Sequence, residues 1–470
     1  MPDGSHARLP TLPVAVIGAG PVGLATAAHL LARGLTPLVL EAGPEVGHAV
    51  RAWGHVYMFT PWSLNVDKAA RALLDAHGWT PPDPDLYPTG TELADCYLVP
   101  LARALGGVVR TGARVVGIAR REHDLMRDAG RADAPFILHV ATPDGLTGEI
   151  EAAAVIDCSG TWASPAPAGA HGLPVPGEVA HRDRIAYGIP DILGADRAAY
   201  AGRSILVVGA GHSAVNAVLD LAQLAQEAPG TRIAWAFRKP LEAARFGGGL
   251  ADALVQRGAL GARARALVEE GAVRALAPFP ISGIKDQDGM LLVTCQTSDA
   301  TVLVDRMVVA TGFRPDLDPL RELRFALDPA VQAPPRLAPL IDPNVHSCGT
   351  VRPHGEAELR QPEPGFYIAG MKSYGRAPTF LLATGHEQVR SITAALAGDW
   401  EAARDMQLEL PPTGVCSGPA LASVAVASTE ACCTPDTAQG VCCAAKPDLL
   451  PADAPCCGPA QPARTASCCG

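Results

Sequence analysis

The stretch at residues 12–23, LPVAVIGAGPVG, decides the fold of this chain. Its first six residues form an apolar run that predicts a buried strand, and the alanine-rich segment 24–33, closed by Gly34, predicts a helix. A second apolar run at 36–40 predicts another strand, which ends at Glu41. This β-turn-α-β order is typical of a nucleotide-binding unit in an α/β protein.

The turn of this unit has the spacing GxGxxG. Gly18 permits a tight turn, and Gly20 lets the backbone approach a pyrophosphate. Gly23 allows the helix to pack closely on the strand, while Pro21 and Val22 open the helix whose N-terminus would face that pyrophosphate. We therefore predict a dinucleotide site at these five residues.

A second unit of the same kind begins with the apolar strand 204–208. The turn GAGHSA at 209–214 follows, and the pattern then predicts a helix at 215–226 and a strand at 232–237. The predicted cofactor contacts of this second turn are Gly209, Gly211, His212, Ser213 and Ala214.

The residue that ends the second strand of each unit predicts which nucleotide binds there. Glu41 can accept hydrogen bonds from ribose hydroxyls, so the first unit suits FAD or NAD. Arg238 and Lys239 end the corresponding strand of the second unit, and a guanidinium there can bind a 2′-phosphate. The second unit is therefore predicted to bind NADPH, although the two cations would also suit a solvated strand end.

Composition narrows the remaining possibilities. The chain has 470 residues, is 48% hydrophobic and carries a formal net charge of -10, which argues against nucleic-acid binding. No apolar run approaches the roughly 18 residues that a membrane span needs, and the start has no basic segment followed by a long apolar one. We therefore expect a cytoplasmic protein without a membrane segment.

Two such units in one chain resemble the two-dinucleotide-binding-domain flavoproteins, and the resemblance covers roughly residues 12–400. The tripeptides at 158–160, CSG, and 310–312, ATG, are similar to the strand-to-loop junctions of that family. The segment 365–370, GFYIAG, is similar to the strand beneath the flavin, although Met371 stands where the family usually has aspartate. The resemblance implies cofactor contacts at Gly160, Gly312, Gly370 and Met371, and Arg51 and Trp53 are candidates to line the flavin ring.

This resemblance implies an α/β fold with two doubly wound, Rossmann-like domains, in which the NADPH domain is inserted into the FAD domain. We place the FAD domain at 1–200 and 305–410 and the NADPH domain at 201–304. From about residue 411 the composition changes to Ala, Pro, Gly, Ser and Cys, which predicts a disordered, Cys-rich tail at 411–470.

The cysteine pattern indicates a branch of the family. Disulfide reductases of this fold carry a redox cysteine pair beside the flavin, whereas residues 41–95 contain no cysteine and the second unit has no CxxC. Molecular oxygen is then the expected electron acceptor, as in the flavin-containing monooxygenases. Their Gly-x-x-x-His fingerprint is similar to Gly177–His181, although Val175 and Ile185 replace the expected aromatic residues. No catalytic side chain is predicted.

A narrower resemblance comes from the segment 371–380, MKSYGRAPTF, together with the tail. Both are similar to the FAD- and NADPH-dependent oxidoreductases encoded in bacterial arsenic-resistance operons, which implies oxidation of a trivalent arsenical or antimonial. Thiolates are soft ligands that suit such elements. The proposed metalloid ligands are Cys432, Cys433, Cys442, Cys443, Cys456, Cys457, Cys468 and Cys469.

Alternatives remain open at this point. The enzyme could instead oxygenate nitrogen or sulfur in a small metabolite, or the chain could be a metalloid-binding flavoprotein without physiological turnover. The tail could also be a low-complexity extension without function. The expected partners are a small-molecule substrate and oxygen, with a homodimer as one assembly to test.

Overall fold

The structure, a computed structural model, describes residues 12–142, 144–145, 147–241, 246, 255–345, 351–377 and 380–408. The predicted tail at 411–470, with all eight of its candidate metalloid ligands, lies outside the described residues. The strands are β1 (Val14–Ile17), β2 (Pro37–Leu40), β3 (Val109–Arg110), β4 (Arg114–Arg120), β5 (Phe136–Ala141), β6 (Thr147–Ala152), β7 (Ala154–Asp157), β8 (Ile185–Tyr187), β9 (Ser204–Val208), β10 (Arg232–Ala236), β11 (Arg274–Leu276), β12 (Ile281–Gln287), β13 (Met290–Cys295), β14 (Thr301–Val304), β15 (Arg306–Val309) and β16 (Phe366–Ile368).

Many of the helices have only about one turn, and a few longer helices pack on the sheets. They are α1 (Pro21–Ala32), α2 (His48–Arg51), α3 (Trp62–Asn65), α4 (Lys68–Ala76), α5 (Gly90–Leu93), α6 (Val99–Leu105), α7 (Arg197–Tyr200), α8 (His212–Glu227), α9 (Val255–Glu269), α10 (Ala338–Ile341), α11 (Glu356–Leu359), α12 (Leu382–Leu396) and α13 (Trp400–Arg404). A single-turn π-helix at Ala94–Leu98 joins α5 to α6, and a 3₁₀ turn at Gly370–Tyr374 follows β16.

The first sheet is parallel and has the strand order β16-β7-β1-β2-β3. Side chains alternate between its faces, so Val14 and Val16 pack with α1, α4, α6 and α12, whereas Ala15 and Ile17 point to the other side. There the antiparallel sheet β4-β5-β6 covers it, in the place that a doubly wound domain usually gives to helices. Every β1 side chain is thereby buried.

The second sheet repeats this plan with the parallel order β11-β10-β9-β15-β8. Ile205 and Val207 of β9 pack against α8 and α9, whereas Leu206 and Val208 pack against the antiparallel sheet β12-β13-β14. Each nucleotide-type unit therefore lies between a helical layer and a three-stranded layer. The α/β class with two parallel sheets, which the sequence predicted, is confirmed.

The second sheet extends beyond the predicted limits of 201 and 304. It also contains β8 and β15, since β15 pairs with the central strand β9 and β8 completes the edge. The predicted domain boundaries were placed around the fingerprint unit alone. The sheet also includes β15, because β9 is a central strand with a neighbour on each side. The second sheet still lies between β7 and β16 of the first in chain order, as the inserted arrangement requires. Among the helices in the described part of the chain, none combines the length and apolar character needed to cross a bilayer.

Candidate functional site

The first cradle is the turn between β1 and α1, where two of the three glycines leave no room for side chains. Gly18 has φ +98°, and a Cβ on it would lie 2.9 Å from the carbonyl oxygen of Cys158. A Cβ on Gly23 would lie 1.9 Å from the carbonyl oxygen of Gly18. By contrast, a Cβ on Gly20 would meet nothing within 4 Å, so this backbone faces open space. The close approaches at Gly18 and Gly23 and the open space at Gly20 are those expected from the roles predicted for these glycines.

The N-terminus of α1 points its free backbone N–H groups into that space. Gly20 is the N-cap, no side chain caps the helix, and its first turn has no acidic residue. The first N–H groups of a helix have no partner within it, and the helix dipole favours negative charge there. Pro21 supplies no N–H, so Val22 and Gly23 are the donors that a pyrophosphate would meet. The turn therefore fits the phosphates of FAD.

Glu41 holds the glycine turn against the end of β2. Its Oε2 accepts a hydrogen bond from the Ala19 N–H at 2.7 Å, and its Oε1 accepts one from the Gly43 N–H at 2.7 Å. A carboxylate has further lone pairs that can accept ribose hydroxyls, as the sequence predicted. A groove of about 470 Å³ flanks this edge; it is lined by Val46, Val99, Ala102, Arg103, Gly106, Val109 and Thr111.

The rear of this cradle contains a buried ion pair that sequence reasoning missed. Lys372 Nζ lies 2.6 Å from Asp157 Oδ2 and 3.1 Å from Ser159 Oγ. Asp157 ends β7, and Lys372 lies in the 3₁₀ turn after β16, so the pair joins the two loops that carry Gly160 and Gly370. Met371, predicted to contact the cofactor, is half-buried in the same turn.

A neutral network supports the same turn from the side of α12. Gln388 Oε1 accepts a hydrogen bond from the Gly370 N–H at 2.8 Å, and its amide group donates to His354 Nε2 at 2.9 Å and Ser373 Oγ at 3.0 Å. His354 Nδ1 donates to the Arg352 carbonyl, which leaves Nε2 free to accept. Burial lowers the pKa of His354, so the ring is neutral, as this hydrogen bond requires.

A further buried cluster joins α1, α4 and α12. His29 Nε2 lies 2.9 Å from Asp67 Oδ2, and burial opposes ionisation of Asp67, yet the bond from His29 keeps the pKa of Asp67 below its usual value. His386 stands near both groups, and its buried Nε2 has no hydrogen-bond partner. Burial lowers the pKa of His386, which favours the neutral ring.

The second cradle has the same backbone plan. Gly209 has φ +131°, and a Cβ on it would lie 2.3 Å from the Ala310 carbonyl oxygen. Gly211 is the N-cap of α8, again without a side-chain cap, and a Cβ there would meet nothing within 4 Å. Ala214 is buried at the place that Gly23 takes in the first unit, and Trp235 Nε1 donates to the Gly209 carbonyl at 2.7 Å.

One predicted correspondence is wrong by one residue. Phe237, and not Arg238, occupies the place of Glu41: Phe237 N–H donates to Leu276 of β11 as Glu41 N–H donates to Arg110 of β3. Phe237 is buried with its ring 4.6 Å from that of Trp235, because β11 extends the pairing of the strand. Arg238 and Lys239 follow it, and both are exposed. Their side chains have no hydrogen bond or ion pair within the described ranges.

The two cradles approach each other across the connecting loops. The Phe59 ring lies 5.0 Å from the His212 ring at the start of α8, in an edge-on arrangement. Trp162 and Phe313, which follow Gly160 and Gly312, stack at 4.6 Å. Ser213 is half-buried beside His212. The structure thus brings the two predicted junctions into contact.

Other predicted residues take structural positions. Arg51 Nε lies 3.0 Å from a Glu45 oxygen, and its terminal nitrogen lies 2.6 Å from Asp95, so two carboxylates balance its charge. Trp53 packs against Gly90, where a Cβ would lie 2.8 Å from its ring. A Cβ on Gly177 of the degraded fingerprint would lie 1.9 Å from the Ile284 carbonyl, which explains the glycine by packing.

Cysteines in the described part of the chain are unpaired. Cys96, Cys158 and Cys295 are free thiols at separate places. Cys158 adjoins the first cradle, but burial raises the pKa of its thiol to about 12, so it is not a reactive thiolate near neutral pH. No group of three or more His, Cys, Asp or Glu residues able to hold a metal occurs among the described residues.

Comparisons with known proteins agree with this geometry. Residues 13–77 match the family model for FAD dependent oxidoreductase. Among curated proteins, none matches the chain. A bacillithiol disulfide reductase from Bacillus cereus has 20% sequence identity and a TM-score of 0.61 over 83% of this chain and 99% of its own.

Two monooxygenases have the same fold. The FAD-bound cadaverine monooxygenase of desferrioxamine biosynthesis from Erwinia amylovora has 15% identity and a TM-score of 0.57, over 87% of this chain and 100% of its own. A flavin monooxygenase from Stenotrophomonas maltophilia has 20% identity and a TM-score of 0.52, over 83% and 99%. The chain is a flavin-dependent oxidoreductase, and the FAD cofactor predicted from the first fingerprint is confirmed.

Proposed function

We propose that this flavoprotein is an NADPH-dependent monooxygenase that oxidises a trivalent arsenical or antimonial to the pentavalent form. The observation that carries the monooxygenase part is the first cradle without a cysteine pair. Cys158 is the single thiol beside it among the described residues, and its raised pKa makes it a poor partner for electrons arriving at the flavin. Oxygen is then the natural acceptor.

The overall reaction balances without a further reagent. A trivalent arsenical, O₂, NADPH and a proton give the pentavalent arsenical with one new As=O bond, water and NADP⁺. Arsenic loses two electrons, NADPH supplies two more, and O₂ accepts all four. Bound FAD supplies the hydride and oxygen chemistry that no protein side chain offers.

The residues of this chain bind and orient. Val22 and Gly23 would donate their backbone N–H groups to the pyrophosphate of bound FAD, and Glu41 would accept its ribose hydroxyls. The groove lined by Val46, Val99, Ala102, Arg103, Gly106, Val109 and Thr111 adjoins Glu41 and is the place we assign to the adenosine. Phe59 and His212 stand between the cradles, where they restrict the access of water.

The preference for NADPH over NADH is assigned to the exposed pair that follows Phe237. Arg238 and Lys239 are unpaired within the described ranges, so both are free to bind a 2′-phosphate. No carboxylate follows β10 at the place of Glu41, because Phe237 is there. A free 2′-hydroxyl would gain no acceptor at that position, whereas a phosphate gains two cations.

The arsenical assignment is supported by the tail sequence and by the segment 371–380. Four adjacent cysteine pairs within 432–469 offer soft ligands to a trivalent metalloid. The described chain approaches its end beside α12, where the Gln407 N–H donates to Glu387 Oε1 at 3.0 Å. Reduced thiols of this kind suit the cytoplasm, which is the location we propose.

Steady-state turnover of the full chain tests this proposal. We expect arsenite or a methylated trivalent arsenical to stimulate NADPH oxidation with equal oxygen consumption and formation of a pentavalent product. Stimulation by amines or thioethers alone would assign nitrogen or sulfur oxygenation instead. Tight arsenite binding without stimulated turnover would assign a binding protein. Size measurement in the same buffer tests the homodimer.

Two controls separate the remaining explanations. The Bacillus cereus neighbour favours a second candidate, reduction of a small-molecule disulfide, and oxygen-free NADPH oxidation with such a disulfide would identify it. Replacing all eight tail cysteines of the four pairs by serine should raise the KM for the arsenical and leave NADPH oxidation without substrate unchanged. An unchanged KM would remove the tail from substrate capture.

A further inference from the structure

Two loops form the rear wall of the FAD cradle, and a buried charge pair joins them. The first loop, 158–160, follows β7, and the second, 370–374, follows β16. The two strands are hydrogen-bonded neighbours, so their loops leave the sheet side by side at its carboxyl edge. Gly370 also lies against the first turn of α1, since a Cβ on it would meet Val22 at 3.3 Å.

Asp157 organises the first loop by accepting from it. Its Oδ1 accepts hydrogen bonds from the Ser159 N–H at 3.1 Å and from Ser159 Oγ at 2.7 Å. This arrangement is a turn in which an aspartate side chain binds the backbone two residues ahead. Ser159 and the adjacent Gly160 are thereby fixed in the rear wall of the cradle.

Lys372 completes the arrangement from the second loop. Its ammonium group donates to Asp157 Oδ2 and to Ser159 Oγ, and both charged side chains are only 2% exposed. Met371 is uncharged. Among the described residues 366–377, Lys372 is therefore the one residue that binds the turn to the rest of the protein through an ion pair. The opposite side of the turn is held by the neutral bond from Gly370 to Gln388.

A pair of this kind is a weak source of fold stability, because removing two charges from water costs about as much as their attraction returns. Its geometry nonetheless adds a side-chain link between two loops whose nearest backbone hydrogen bond runs from the Ala369 N–H to the Asp157 carbonyl, where the strands end. We propose that the Asp157–Lys372 pair positions the FAD cradle: Lys372 is a positioning residue that neutralises Asp157 and holds Ser159, Gly160 and Gly370 in the arrangement that receives the cofactor. This inference does not depend on the substrate or on the use of oxygen.

The test measures FAD binding to apoprotein rather than turnover. For Lys372→Met we expect the dissociation constant of FAD to rise about tenfold or more, since one charge-assisted bond of that size is lost. We also expect the visible circular dichroism of bound FAD to change. In Asp157→Asn/Lys372→Met the amide oxygen still accepts from Ser159 and no charge is left alone, so the dissociation constant should return to within threefold of the natural protein.

A control uses another buried ionic cluster, in which Glu363 pairs with both Arg120 and Arg131. Arg131 and Glu363 are 4% and 1% exposed, 2.7 Å apart, and Glu363 precedes β16 at the opposite end of the strand. Arg131→Met should lower the melting temperature of the apoprotein and leave FAD affinity unchanged. This control separates loss of fold stability from loss of cradle geometry.

Each outcome decides the question. A change below threefold for Lys372→Met, or a double variant as weak as the single one, would overturn the charge-pair role. Should the apoprotein of Lys372→Met not fold, Ser159→Ala takes its place, because Ser159 is exposed and binds both partners. That variant should weaken FAD binding threefold or more at an unchanged melting temperature, and an unchanged affinity would contradict the proposal.

Discussion

Behind the first cradle, α12 buries Thr384, His386, Glu387 and Gln388, whereas behind the second, α8 buries only alanine, valine and leucine. The contrast extends beyond these helices. Between residues 179 and 345, wherever the structure describes the chain, every buried side chain is apolar. Buried polar networks with all partners in place restrict a loop to one geometry, while apolar packing tolerates small shifts.

The difference is the one we would expect if, as proposed above, the first cradle holds a resident cofactor and the second an exchanging coenzyme. The first glycine turn is held by Oε2 of the Glu41 carboxylate, whose Oε1 binds Gly43 after β2, and the neighbouring loops are held by Lys372 and Gln388. The second turn accepts neutral side-chain bonds at its carbonyl groups, from Trp235 to Gly209 and from Asn216 to His212. Substitutions at matched positions should therefore affect the first unit more strongly than the second.

The third fingerprint position should show the largest difference. In Gly23→Ala, the new methyl group would lie 1.9 Å from the Gly18 carbonyl, and relieving this overlap costs about 3 kcal/mol and displaces the turn. We expect the purified variant to retain less than about a tenth of its flavin, by the ratio of flavin to protein absorbance. Ala214→Gly, the matched change in the second unit, should cost only about 1 kcal/mol of helix propensity. Equal effects would contradict the comparison.

The residue after the second strand should give the next largest effect. Glu41→Ala leaves the Ala19 and Gly43 N–H groups without their acceptor, which at about 1.5 kcal/mol for each bond raises the FAD dissociation constant about 100-fold. Titration of apoprotein with FAD measures this. Phe237→Leu is the matched control, and its FAD affinity should stay at the natural value.

The selectivity for NADPH over NADH tests the second unit directly. Arg238→Ala should raise the KM for NADPH about 30-fold and the KM for NADH less than threefold, because only NADPH has the 2′-phosphate that a guanidinium binds. Lys239→Ala should show the same preference with a smaller change. Steady-state kinetics with both coenzymes measures these values. Equal rises in the KM for NADPH and the KM for NADH would contradict the assignment of Arg238 to the 2′-phosphate.

The bond to the second glycine turn should matter modestly. Trp235→Phe keeps the aromatic packing but loses the hydrogen bond to the Gly209 carbonyl, at a cost of about 1 kcal/mol. We expect the KM for either coenzyme to rise about fivefold, with the flavin content unchanged. A loss of flavin would show that the two cradles are not independent.

The smallest effect should be the pH dependence of stability. Burial keeps the pKa of His386 below the value of about 6.5 in an unfolded chain, so its contribution is complete above that pH and is lost as the pH falls. His386→Phe also removes a buried nitrogen without a partner. The variant should gain about 1 kcal/mol relative to the natural protein between pH 7.5 and 5.5, by urea unfolding, while Asp67 and His29 keep their bond.

Local periodicity was enough to predict both fingerprint units. Strand β9 has the predicted bounds, and α1 and α8 begin three residues before the predicted start because the helices begin inside the glycine turns. Those turns are local features in which spacing and φ angles decide the geometry. The prediction of FAD at the first unit depended on the same local pattern.

Features that depend on distant pairing could not be read from the sequence. Asp157 and Lys372 are far apart in the chain, and only the adjacency of β7 and β16 brings them together. The displacement of Arg238 by Phe237 depends on where β11 ends, and β11 follows a long helix. Arg51 remains a predicted contact of the flavin ring, and its pairing with Asp95 on the π-helical turn is a feature that its local sequence does not reveal.

The nested order of the strands sets the timing of assembly on the ribosome. Roughly 200 residues are made between β7 and its neighbour β16, which at about 5–20 residues per second takes some 10–40 seconds. Throughout that interval the edge of β7 lacks its partner strand, whereas all strands of the second sheet have been made by Val309, before β16 begins. The sheet that carries the first glycine turn is therefore completed after the sheet that carries the second.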